Sequence, residues 1–124
     1  MRVLLSNHHL AVRAGSELYV AELATALKAG GHDARVFTFI PGELSHTIQA
    51  SGVPVYTTEQ APEVVAFQPD IVHAHHGPTL WWLGAHLEGA PVIFSSLGVL
   101  PPHEAPPAAW PGVAHGVAVS EEVL

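Results

Sequence analysis

The sequence predicts an α/β domain of Rossmann-like, three-layer type: a parallel sheet of about six strands in the order 3-2-1-4-5-6 with helices on both faces. Two observations carry this. Apolar periodicity switches repeatedly between strand-like and helix-like spacing along the chain. Several of the segments joining successive strands are of helix length, which parallel pairing requires. A chain of 124 residues fits one such domain around one core.

In chain order, Arg2–Ser6 reads as a buried strand, and Asn7–Gly15 as a loop holding His8, His9 and Arg13. Ser16–Ala29 is a helix, because Val20, Leu23, Ala24 and Leu27 share one face; Ser16 is its expected N-cap and Gly30-Gly31 its stop. Ala34–Ile40 is the second strand, Gly42–Ser51 a short helix and Val53–Thr57 the third strand. Pro62–Phe67 forms a helical turn, Ile71–His75 the fourth strand, and Pro78 to about Leu87 the helix after it. Pro91–Ser96 and Val117–Val119 complete the sheet, separated by the proline-rich stretch Leu97–Pro111. Ser120-Glu121-Glu122 resembles a helix start, and only one turn of it remains before Leu124. Since one turn is not stable alone, the chain reads as a truncated unit.

Composition excludes several functions. With 48% hydrophobic and 12% charged residues the chain is globular. A formal net charge of −7 with four Lys and Arg lacks the clustered cations that nucleic acid or an anionic membrane surface demands. Cysteine is absent, so disulfides, thiolate nucleophiles and cysteine-ligated zinc do not arise. No apolar run spans a bilayer and the N-terminus lacks signal-peptide features, so a cytoplasmic protein is expected.

In a sheet of this order, ligands bind beyond the carboxyl ends of the strands where the order reverses, between strands 1 and 4. The loops at Asn7–Gly15 and His75–Pro78 are expected to face each other there. His73-Ala74-His75-His76 stands at that point. His73 and His75 share one face of the strand. The helix that opens at Pro78 disfavours positive charge, so His75 is expected neutral, able to donate or accept a hydrogen bond. For His73, deeper in the strand, a structural role is preferred. A metal site built from these histidines, with His8 and His9 across the cleft, is disfavoured because adjacent His75 and His76 cannot join His73 on one ion without a sharp turn. Gly15 lets the backbone approach a ligand, and the helix start at Ser16 attracts an anion such as a diphosphate. Arg13 is either a contact to an acidic group or a solvated loop cation. Of Trp81 and Trp82, one is expected on the sheet and the other at the cleft or a domain contact. Glu17 and Glu104 form no recognisable carboxylate pair.

Three ordered motifs resemble glycosyltransferase family four. Ala14-Gly15-Ser16-Glu17, followed by Leu23-Ala24, Leu27 and Gly31-His32-Asp33-Ala34-Arg35-Val36, looks like that family's opening loop, helix and second strand. Pro69-Asp70-Ile71-Val72-His73-Ala74-His75 is similar to its fourth strand, and Val117-Ala118-Val119-Ser120-Glu121 to the end of its first domain. Ala14 replaces the usual first glycine, and Leu97 stands where many members carry a histidine. The resemblance implies the acceptor-side N-terminal domain of a two-domain, GT-B, retaining and metal-independent transferase that needs no cofactor. The nucleotide-sugar donor would bind mainly to the second domain, and a sugar, lipid or small molecule would be the acceptor. It further implies donor-sugar contact at His75 and diphosphate contact at Gly15 and Ser16. His8, His9, Arg13, Glu17 and His76 would line the acceptor cleft. The isolated fragment is expected to be inactive and, with an apolar face uncovered, prone to self-association. Two other readings stay open: a stand-alone Rossmann- or flavodoxin-like module binding a small ligand or protein, and a His-rich metal-binding protein.

Overall fold

A computed structural model describes residues 1–10, 15–75, 77–87, 89–96 and 113–118, with backbone alone at 15–16, 77, 94–96 and 113–118. Six strands form one sheet: β1 (Arg2–His9), β2 (Asp33–Ile40), β3 (Val55–Tyr56), β4 (Ile71–Ala74), β5 (Val92–Ser96) and β6 (Val113–Ala118). Every pairing is parallel, and the order is β3-β2-β1-β4-β5-β6, as the sequence predicts. Among the described residues four α-helices connect them: α1 (Gly15–Ala29), α2 (Glu43–Ala50), α3 (Ala61–Phe67) and α4 (Gly77–His86).

Alternation along the strands builds two cores. Val3 and Leu5 of β1 and Ala34 and Val36 of β2 pack with Val20 and Ala24 of α1 and Leu44 and Ile48 of α2. On the other face Leu4, Phe37, Val72 and Ala74 pack with Val64 of α3 and Leu80 and Leu83 of α4. Each fully buried aliphatic side chain contributes about 1.5–3 kcal/mol, so this two-sided burial is what holds the layers together. Trp82 stacks on Phe37 with ring centroids 4.5 Å apart, whereas Trp81 stays 56% exposed, which separates the two tryptophans as expected.

Both helices of the first half end in the same way. Gly31 and Gly52 take φ of 90° and 92°, conformations that side-chain-bearing residues seldom adopt. His32 then donates to the Leu27 carbonyl, and Val53 to that of Ile48, satisfying carbonyls the helices leave open.

Several boundaries differ from the sequence reading, that of β4 among them, which ends at Ala74 and leaves His75 just past the strand. β1 runs on through His9, so His8 and His9 lie in a strand and not in a loop. The reason is pairing, with Asn7 opposite Thr38 and His9 opposite Ile40. Ser16 is not the N-cap of α1, since the helix already includes Gly15. β3 is only Val55–Tyr56, because Val53 closes the end of α2 and Pro54 has no N–H to pair. β6 begins at Val113, four residues before the expected strand.

Candidate functional site

The carboxyl end of the sheet is assembled by the adjacency of β1 and β4, with Ser6 opposite Ala74. The exit of β1 is held by buried polar groups. Asn7 Nδ2 donates to the His9 carbonyl at 2.8 Å, and Thr38 Oγ1 donates to the His8 carbonyl at 3.2 Å. Leu10 is fully buried and its N–H donates to the Ile40 carbonyl at 2.9 Å. The start of α4 meets β1 through Thr79 and Ser6, whose hydroxyl oxygens lie 3.5 Å apart.

Alternation sends the histidines of this edge to different faces. His8 lies edge-on to Phe39 at 5.7 Å, on the α4 side. His9 turns towards α1, where its Nε2 donates to Glu17 Oε1 at 2.9 Å. Two residues expected to line the cleft are therefore joined to each other, and the contact ties the exit of β1 to the first turn of α1. Glu17 is 6% exposed, so its carboxylate is costly to bury without such a partner. Replacing Glu17 by Ala is expected to cost about 1–2 kcal/mol, a partly buried ionic hydrogen bond being worth about that much. Urea denaturation measures it, and an unchanged midpoint would refute a fastening role.

His73 and His75 occupy the α1 face, their ring centroids 5.1 Å apart. Tyr19 lies edge-on to both, at 6.1 Å from His73 and 5.1 Å from His75. Burial pushes the His73 imidazole below its ordinary value. His75 is pushed down to about 3, chiefly by burial and then by His73, where the sequence reading looked to the helix terminus. His75 is 1% exposed, and neither of its ring nitrogens has a hydrogen-bond partner among the described residues. A buried polar atom left in this way costs about 1–3 kcal/mol. A group kept at such cost, at the edge where α/β sheets bind ligands, is a candidate for function.

Of the other expected site residues, Gly15 and Ser16 lie in the first turn of α1. Arg13 and His76 lie outside the described residues, as do Ala14, Leu97 and Glu104. Among the described residues no three His, Asp or Glu side chains are grouped to hold a metal ion. No helix among them is long and apolar enough to cross a membrane. Tyr19 went unnoticed in the sequence, because it falls outside the buried stripe of α1 and bears no motif of its own.

The family model for the glycosyl transferase 4-like domain matches residues 14–118, which takes in α1, every strand from β2 to β6, and both His73 and His75. The chain belongs to the glycosyl transferase 4-like domain family. No curated protein and no solved structure matches it. The glycosyl transferase 4-like domain is a glycosyltransferase-type module, and binding of a sugar donor and an acceptor follows in general terms from that membership. A groove at the opposite, amino end of the strands, lined by Arg2, Asp33, Arg35, Tyr56 and Phe67, fits this role poorly. Its Arg35 is already engaged by Asp33 and by the Tyr56 hydroxyl, and lies over the Phe67 ring.

Proposed function

We propose that this domain is the acceptor-side half of a GT-B glycosyltransferase, forming one wall of a cleft whose other wall is a nucleotide-sugar-binding domain. The observation that carries the reading is His75, sealed at the carboxyl end of β4 with both ring nitrogens unpartnered. A neutral imidazole offers one N–H donor and one acceptor nitrogen, the pair that a sugar hydroxyl can engage in both directions. Because its affinity for protons is so low, His75 suits hydrogen bonding to the transferred sugar better than accepting a proton at neutral pH. The first turn of α1, at Gly15 and Ser16, is where a helix has backbone N–H groups with no partner inside the helix, and these would meet the donor diphosphate. In the resembling family transfer retains the anomeric configuration without a metal, and the acceptor is a sugar, a lipid or a small molecule.

The test is nucleotide release from a nucleotide-sugar by this domain joined to its partner domain. His75→Ala is expected to lower kcat about ten- to hundredfold, the worth of one lost hydrogen bond to a reacting group. Unchanged turnover in that variant would remove His75 from the site. The 124-residue chain alone is expected to release no nucleotide, and turnover by it would overturn the two-domain reading.

A further inference from the structure

We propose that Tyr19 is the gate to His75: its ring lies edge-on against the imidazoles of His73 and His75, and a sugar reaches His75 only when that ring swings aside. The proposal rests on the reading of His75 as a sugar-facing group. Three observations lead to it. His75 is 1% exposed, so in this conformation no ligand touches it. Tyr19 lies edge-on to both His73 and His75, and is the described residue of α1 that contacts them through its ring. Tyr19 itself is 42% exposed, so its ring already borders the water into which it would swing.

The chemistry of the contact argues for a cover that opens. A permanent wall over an imidazole would offer a hydrogen-bond partner, since each unsatisfied buried nitrogen costs stability. Tyr19 meets the ring of His75 edge-on and leaves both nitrogens unsatisfied. Displacing it lets a hydroxyl-bearing ligand supply both missing hydrogen bonds. The helix is anchored by Val20 and Ala24, both fully buried, on the neighbouring stripe, so the ring of Tyr19 can turn while α1 stays in place. Rotamer changes of half-exposed side chains are fast, so the gate limits access without limiting rate.

Diethyl pyrocarbonate, which acylates an uncharged imidazole nitrogen it can reach, reads the gate directly. Modification is followed at His75 by fragmentation mass spectrometry, with exposed His86 as an internal reference for the reagent and circular dichroism as the check that the fold is intact. Tyr19→Ala is expected to raise the rate at His75 about tenfold or more while His86 stays at its wild-type rate, and Tyr19→Phe to remain within about twofold of wild type. Should the alanine variant melt, Tyr19→Leu, a strong helix former too narrow to span both imidazoles, is expected to give the same acceleration. Equal rates at His75 in the wild type and the opened variants, or wild-type His75 reacting as fast as His86, would overturn the gate. Glucose added to Tyr19→Ala separates this proposal from the one beneath it. Protection of His75 supports the sugar-facing reading, and lack of protection counts against that reading alone, because the gate is read from the rates without sugar.

Discussion

Replacing Phe37 by Ala is expected to destabilise the domain by about 3–5 kcal/mol, the range for deleting a buried aromatic side chain. Phe37 sits in β2 between Ser6 of β1 and Tyr56 of β3 and is wholly buried. Its ring stacks on Trp82 of α4 at 4.5 Å with an interplanar angle of 15°, and lies edge-on to Phe39 at 5.8 Å. The substitution therefore removes apolar burial and two ring contacts, each of them worth about 0.5–1.5 kcal/mol beyond the area lost. It also leaves a cavity beneath α4, the helix whose first turn holds Thr79 against Ser6. Domains of this size are stable by only about 5–15 kcal/mol, so much of the total is at stake. Urea denaturation gives the measurement, with the midpoint falling at constant slope. Val65→Ala, at a residue 44% exposed, is the contrasting change and is expected to stay within about 0.5 kcal/mol. A loss below about 1 kcal/mol for Phe37→Ala would show that β2 and α4 do not form a shared core.

The order of the sheet was legible because it follows from a repeating physical pattern. Each of the parallel strands needs a crossover, and crossovers of helix length are visible as changes of period. The site was less legible, for three separate reasons. Asn7, His8 and His9 read as loop because they are polar, yet β2 continues alongside them and Asn7 bonds back to the strand. Hydropathy does not register polar residues that backbone pairing carries into a sheet. The His9–Glu17 contact joins residues on either side of a connection, and nothing local in the sequence announces which acid meets which imidazole. Tyr19 stands at a helix position where periodicity predicts exposure. Only the placing of α1 over β4 brings its ring onto His73 and His75. The position of His75 at the carboxyl edge, by contrast, was legible in the sequence, because strand 4 must end beside strand 1 wherever this strand order holds.

Lowering the pH from 7 to 4 is expected to remove roughly 3 kcal/mol of folding stability through His75 alone, from the gap between its folded and unfolded proton affinities. In the unfolded chain an imidazole titrates near its ordinary value of about 6.5. In the folded domain His75 is pushed down to about 3 by burial and by His73. Between those two values the unfolded chain binds a proton that the folded chain refuses, so acid favours unfolding. Above about 6.5 neither state is protonated and His75 makes no difference; below it stability falls by about 1.4 kcal/mol per pH unit, levelling off near 3. His73, lowered by burial as well, adds a loss of the same sign. The variant His75→Gln keeps a polar side chain that does not titrate. Its stability, taken from urea curves at a series of pH values, is expected to fall less steeply than that of the wild type, by close to one proton. Parallel slopes for the two proteins would mean that His75 is not held uncharged by burial, and would remove the basis for a hydrogen-bonding imidazole at neutral pH. The same burial thus has two effects with one cause: it makes the fold sensitive to acid, and it keeps the imidazole of His75 uncharged where the fold is stable.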